Sequence, residues 1–232
     1  MANILARLAR EYPSATPNLL KALVLHFAYW PDSHHSLNVG DGLKRVIYGK
    51  GVPEFEKCAY SSNYSPAYVV DDSIGYDEVA FVPVYVPHAM RGIYGEKIMR
   101  VTLVYNPPVD MGINGYCLVD LDFRLYKQTK PGEFRKQQNW DQHFRRSWDN
   151  AKSDVFRWQR SGWGMEWSLM VFPRVRFRSR LVNSVSEQEY ALVVTLEDPH
   201  KAVNIYDAIF DERRRITKPL EAFIQSVTVP EA

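Results

Sequence analysis

Residues 1–28 read MANILARLAREYPSATPNLLKALVLHFA and contain two helical patterns separated by a proline-containing break. In the first pattern the apolar side chains recur at helical spacing and small alanines between them allow close packing. This helix is predicted to end before Pro13, because the residue that precedes a proline avoids the helical region. The apolar positions of the first helix are Ile4, Leu5 and Leu8.

A second helix is predicted to start at Pro17, where the missing N–H of proline costs no hydrogen bond, with Thr16 as its N-cap. Its apolar side chains cover more than half of the helix surface, which predicts that this helix is buried inside a larger body. His26 lies on the same helix and is interpreted as a packed or hydrogen-bonded histidine, with a functional role as the alternative. The apolar positions of the second helix are Leu19, Leu20, Leu23, Val24 and Phe27.

From about Val79 the hydrophobic period changes from helical spacing to two, which indicates strands. A charged insertion, helical or disordered, is expected at 132–148. Short strands with turn-rich connections predict an α+β, mostly β protein, in which a pair of apolar helices precedes an antiparallel, jelly-roll-like β-sandwich. The expected domains are 1–58, a linker at 59–78 and the sandwich at 79–232. The strands are predicted at 98–105, 118–126, 155–159, 166–172, 174–181, 190–197, 205–210 and 227–229.

Composition restricts the function classes. A hydrophobic content of 46% supports a sizeable core, and a net charge of +2 argues against a dedicated nucleic-acid binder. Two cysteines make neither a disulfide framework nor a zinc site, so a reducing, cytoplasmic location is expected. No apolar run approaches the roughly 18 residues that a membrane-spanning helix needs.

Between positions 135 and 180 the basic residues outnumber the acidic ones and tryptophans are interleaved with them, a composition typical of grooves that stack single-stranded nucleic acid. The alternative is an ordinary strand with one wet and one buried face, since arginines alternate there with apolar residues. The residues that would form the basic-aromatic surface are Arg174, Arg176, Arg178, Trp158 and Trp163.

Other candidate groups have structural interpretations. Asp120 and Asp122 lie about 7 Å apart on one face of a predicted strand, a separation that suits a cation or a solvated face next to Arg124. Cys58 and Cys117 lack the surroundings of nucleophilic cysteines and are predicted to be structural. The sequence therefore predicts no catalytic residue, cofactor or metal.

Three segments resemble, in order, parts of the large intracellular bacterial subtilisin-like serine peptidases (subtilases). Residues 2–8 resemble the continuation of the helix that begins at the nucleophilic serine, and residues 17–28 resemble the next helix. Residues 49–53, GKGVP, resemble the turn that closes the peptidase domain. Residues 101–109 and 190–197 are similar to the β-rich C-terminal extension of that family.

The resemblance implies that residues 1–58 end a peptidase domain whose catalytic Asp, His and Ser precede position 1. The chain is then a truncated, inactive C-terminal part of a serine endopeptidase. Its partner would be an upstream peptidase segment, or a second copy bound through the apolar helices. The alternative is a stand-alone β-sandwich module that binds a peptide or single-stranded nucleic acid.

Overall fold

The computed structural model describes residues 2–30, 50–75, 78–91, 95–109, 111, 117–130, 133–137, 150–158, 167–175 and 186–215. These residues form five helices and eight strands. In chain order the elements are α1 (Ala2–Glu11), α2 (Pro17–Phe27), α3 (Phe55–Ala59), β1 (Ala67–Gly75), β2 (Ala80–Val84), α4 (His88–Arg91), β3 (Lys97–Tyr105), β4 (Val119–Lys130), β5 (Glu133–Lys136), β6 (Ala151–Trp158), β7 (Trp167–Val175), β8 (Glu187–Glu197) and α5 (Ile205–Arg215).

The fold is mostly β and its named strands pair in antiparallel fashion, as the sequence predicts. One four-stranded sheet has the order β1-β8-β3-β6, and a second has the order β2-β7-β4-β5. Among the helices of the described residues, none has the length and hydrophobicity that crossing a bilayer would require.

Both sheets contribute to one hydrophobic cluster. Met99 and Leu103 enter it from β3, Leu192 enters from β8, and Leu121 and Phe123 enter from β4. Burying each such side chain contributes about 1.5–3 kcal/mol to folding. The residues between these core positions of β3 and β8 point to the opposite face of the first sheet, because successive side chains of a strand point to opposite faces.

Helix α2 covers that opposite face, the outer face of the first sheet. Ala22 and Leu23 of α2 form a buried cluster with Val104, Ala191 and Val193 of β3 and β8. The central strands of this sheet are therefore buried on both faces. The buried residues of α2 in this cluster pack on the chain's own sheet, and the partners expected for the helix stay predictions.

The start of α2 is fixed as predicted. The Thr16 side chain caps the helix by accepting a hydrogen bond from the Leu19 N–H at 3.2 Å, and Pro17 occupies the first turn. Thr16 also donates from Oγ1 to Asp71 Oδ1 at 2.6 Å and from its backbone N–H to Oδ2 at 3.0 Å. These bonds tie α2 to β1.

Four predicted elements are wrong. The expected linker at 59–78 contains β1, whose residue Val69 pairs with Val193 of the central strand β8. The strand expected at 205–210 is the first part of α5, because Asn204 Oδ1 accepts the Asp207 N–H at 3.1 Å and starts a helix that buries Ile205 and Ile209, one helical turn apart.

The third error concerns β7. Strands expected at 166–172 and 174–181 are one strand, Trp167–Val175, that continues through Pro173; residues 176–181 lie outside the described residues. Part of the insertion expected at 132–148 is strand β5, and most of the rest of it is outside the described residues, as is the strand expected at 227–229.

Candidate ligand-binding site

Two residues of the predicted basic-aromatic surface, Arg174 and Trp158, lie in strands of different sheets. Arg174 lies in β7, opposite Asp120 of β4. Trp158 lies at the end of β6 in the other sheet, where its ring stacks on Phe156 with centroids 6.1 Å apart and packs against the hydrophobic cluster. Arg176, Arg178 and Trp163 lie outside the described residues, so this surface stays a prediction.

His26 is a buried, hydrogen-bonded histidine, as interpreted from the sequence. Its Nδ1 lies 3.0 Å from Thr102 Oγ1 of β3, and its Nε2 lies 3.0 Å from Thr195 Oγ1 of β8. Burial holds the pKa of His26 well below its usual range, and the positive charge of Arg100 acts in the same direction. The neutral ring therefore fastens the end of α2 to the two central strands.

Three neighbouring cavities surround this attachment point. The arginine cavity has a volume of about 370 Å³ and shares Arg100 with the tryptophan cavity of about 310 Å³. The apolar cavity of about 270 Å³ shares Phe27, Lys57 and Tyr60 with the arginine cavity. Its further lining includes Tyr12, Leu19, Leu23, Cys58, Ala67 and Val69.

One row of side chains across the outer face connects the three cavities. The register places Ala67 of β1 opposite Thr195 of β8, Thr195 opposite Arg100 of β3, and Arg100 opposite Val155 of β6. Residues directly opposite each other in a sheet share a face. In that order, Ala67 lines the apolar cavity, Thr195 the arginine cavity, Arg100 both the arginine and tryptophan cavities, and Val155 the tryptophan cavity.

Arg100 is the distinctive group of this row. Within the described part of the chain its half-buried guanidinium makes no hydrogen bond and no ion pair. Burial lowers the pKa of Arg100, the nearby Arg157 lowers it further, and Glu197 opposes both. The group still keeps its charge, because arginine is not deprotonated in proteins. A partly desolvated guanidinium with unused donors fits the geometry of a carboxylate.

The other cations near the arginine cavity, unlike Arg100, form ion pairs with carboxylates. Lys57 forms an ion pair with Glu54 at 2.8 Å, and its Nζ lies 4.5 Å from the centre of the Tyr29 ring. Arg157 pairs with Glu96 at 2.8 Å and does not line the cavity. Glu197 lines the cavity next to Arg100. Among the described residues that line this cavity, Arg100 is therefore the cation whose donors are available to an anion.

The two cysteines are free thiols. Cys58 is buried, and burial raises its pKa to about 11, so the thiol keeps its proton at neutral pH. This state agrees with the structural role predicted for it, because the thiolate is the reactive form.

Asp120 and Asp122 do not form the solvated strand face that was the alternative to a cation site. Both carboxylates are buried. Asp120 pairs with the buried Lys152 and accepts a hydrogen bond from the Tyr105 hydroxyl at 2.9 Å. Lys152 already supplies the positive charge that a cation would bring. The described residues contain no group of three or more His, Cys, Asp or Glu side chains placed to hold a metal.

Arg100 was missed because its position in strand 98–105 reads as an ordinary polar residue on a solvated face. The packing of the apolar face of α2 on β3 and β8 would have indicated that Arg100 is partly buried, because Arg100 lies on the covered face of β3.

Comparison with known proteins gives few relatives. No family model matches the chain. It is 30% identical over 130 residues to the uncharacterized protein y4bN of Sinorhizobium fredii, a stretch that covers 55% of this chain and 29% of that protein. The chain thus spans less than a third of this relative. A solved structure of tomato aspermy virus matches with a TM-score of 0.27 and 10% identity, covering 62% of this chain and 82% of that one. A TM-score this low carries no conclusion about the fold.

Proposed function

We propose that this chain is a non-catalytic binding module whose arginine cavity binds a carboxylate of a peptide. The observation that supports the proposal is the half-buried Arg100, which has no ion-pair or hydrogen-bond partner among the described residues. A desolvated charge is costly unless it is paired, so a ligand carboxylate would gain both charge and hydrogen bonds there.

A peptide fits this cavity better than single-stranded nucleic acid does. Lys57 is already neutralised by Glu54, and Glu197 adds a negative charge to the cavity. A chain of phosphates needs several available cations, whereas one carboxylate needs one guanidinium. The exposed parts of Tyr29 and Tyr60 add aromatic surface for a peptide side chain.

The proposal includes a finer description of the scaffold. The orders β1-β8-β3-β6 and β2-β7-β4-β5, together with the hydrophobic cluster that both sheets share, support a jelly-roll-like sandwich. In such a sandwich the arginine cavity lies on the outside of one sheet, under the end of α2.

Binding is tested by fluorescence polarisation with labelled hexapeptides that carry one Asp or Glu among Gly and apolar residues. The acidic peptides should bind, and their Asn or Gln analogues should bind at least ten-fold more weakly, since hydrogen bonds to charged groups contribute about 1.5–3 kcal/mol. Arg100→Gln should cause the same loss. Arg157→Gln is the matched control, because Arg157 is also an arginine of this sheet but is paired with Glu96 outside the cavity.

Glu197→Gln should change affinity in the opposite direction. It removes a negative charge from the lining and should strengthen binding of the acidic peptides a few-fold. Equal binding of acidic and amide peptides, or an oligothymidylate that binds more tightly than the peptides with the same Arg100 dependence, would refute the peptide proposal.

A role within a subtilisin-like peptidase is a second proposal. It is supported by the helix–break–helix arrangement at the expected positions, α1 (Ala2–Glu11) and α2 (Pro17–Phe27). The chain would then be the non-catalytic, peptide-binding part of a longer enzyme. The coding sequence upstream of position 1 tests this idea: it should encode Asp, His and Ser segments of a subtilase, and an unrelated upstream frame contradicts it.

A further inference from the structure

The proposed contact between a carboxylate and Arg100 does not use the apolar cavity next to the arginine cavity. The apolar cavity lies between α2 and β1, and its lining is dominated by hydrophobic side chains such as Leu19, Leu23 and Val69. Val69 is 45% exposed, although it sits in a strand and beside these apolar groups. Phe27 and Tyr60 form a shared boundary with the arginine cavity.

The distance between the two cavities follows from the sheet. Ala67 and Arg100 stand in the same row on β1 and β3, separated by β8. Neighbouring strands lie about 4.8 Å apart, so two steps across the sheet cover about 10 Å. An extended peptide advances about 3.3 Å per residue, and therefore spans this distance in about three residues.

We propose that the two cavities together bind an extended peptide that carries a large apolar residue two or three positions away from an acidic residue. The apolar side chain occupies the cavity lined by Ala67 and Val69, and the carboxylate contacts Arg100. This inference rests on the proposed function and adds the sequence class of the peptide to it.

Charge and polarity select this occupant. In the part of the chain that the structure describes, the arginine cavity offers one available cation, and the lining of the adjacent apolar cavity contains no ionised group except Lys57, which is paired with Glu54. A ligand with two carboxylates at this spacing would leave the second one among apolar side chains at a desolvation cost. A ligand with an apolar group there gains from burying it.

The test varies the peptide and the protein together. One peptide series keeps a single Asp and places Leu one, two, three, four or five positions away; a parallel series carries Ala in place of Leu. Fluorescence polarisation should show the tightest binding at spacings of two and three, and about ten-fold weaker binding of the corresponding Ala peptides.

Val69→Ser probes the cavity without removing a fully buried side chain. It should weaken the binding of the Leu peptides several-fold and leave the affinity for the Ala peptides unchanged. Val109→Ser is the matched control, because Val109 is 62% exposed and lines none of the three cavities.

The outcomes separate the two proposals. If acidic peptides bind in an Arg100-dependent way but Leu and Ala peptides bind equally at every spacing, the inference is overturned and the proposed function stands. If no acidic peptide of either series binds, both are overturned.

Discussion

Replacing Lys152 with methionine should destabilise the protein by about 3–5 kcal/mol, because it leaves a carboxylate buried without its counter-charge. The side chains of Lys152 and Asp120 are 2% and 5% exposed. Lys152 Nζ also donates to the Leu121 carbonyl at 2.5 Å. Burial and the neighbouring Asp120 raise the pKa of Tyr105, so its hydroxyl keeps its proton and stays a donor to Asp120.

Urea denaturation followed by tryptophan fluorescence measures this loss of stability. For a chain of this size, 3–5 kcal/mol also corresponds to a decrease in melting temperature of about 6–20 °C. The double variant Asp120→Asn/Lys152→Met should recover much of the loss, because asparagine carries no charge and still offers an oxygen to Tyr105. Lys57→Met is the matched control and should cost less than about 1 kcal/mol, since the Lys57–Glu54 pair is exposed.

The reasoning is refuted if Lys152→Met costs no more than Lys57→Met. It is also refuted if the double variant is less stable than the single Lys152 variant, because the cost would then not come from an uncompensated charge.

Three further predictions concern α2. The folded-state pKa of His26 lies below the unfolded value of about 6.5, so the unfolded chain binds the extra proton and stability should fall by up to about 1.4 kcal/mol for each pH unit below 6.5. His26→Gln should make stability less dependent on pH, as measured by urea titrations at pH 7.5 and 5.5. An unchanged pH dependence in the variant would contradict this prediction. Leu23→Ala should lower the free energy of unfolding by about 2–5 kcal/mol, because it opens a cavity against Val193. A loss of less than about 1 kcal/mol in the same assay would contradict the packing of Leu23 on the sheet. Thr16→Ala should cost about 1 kcal/mol in thermal unfolding, since it removes a helix cap and the side-chain bond to Asp71, and no change in melting temperature would exclude a stabilising cap.

Regular local patterns made part of the fold predictable. The two N-terminal helices are marked by spacing and by the Thr16-Pro17 start, and β3 and β8 are marked by apolar residues typical of strands. Element β1 was missed because Asp71 and Asp72 interrupt its apolar residues. Asp71 is nevertheless tolerated in the strand, since Thr16 donates two hydrogen bonds to it.

Helix α5 was missed because Ile205 and Tyr206 favour strands. The hydrogen bond that Asn204 Oδ1 accepts from the Asp207 N–H caps a helix there instead. The candidate site could not be predicted for a different reason. Its row joins Ala67, Arg100, Val155 and Thr195, which are far apart in the sequence, and only the lateral register of four strands aligns them. Local propensity contains no information about that alignment.

The position of α2 on β8 has a consequence for synthesis of the chain. Asn18 of α2 contacts Glu189 of β8, a residue that lies 171 positions later in the sequence. At about 5–20 residues per second, a ribosome needs roughly 10–30 s to produce the docking strand after the helix has emerged. During that interval Leu23 and its apolar neighbours have no sheet to cover them. We therefore expect the nascent chain to depend on a chaperone that shields α2 until β8 has been synthesised.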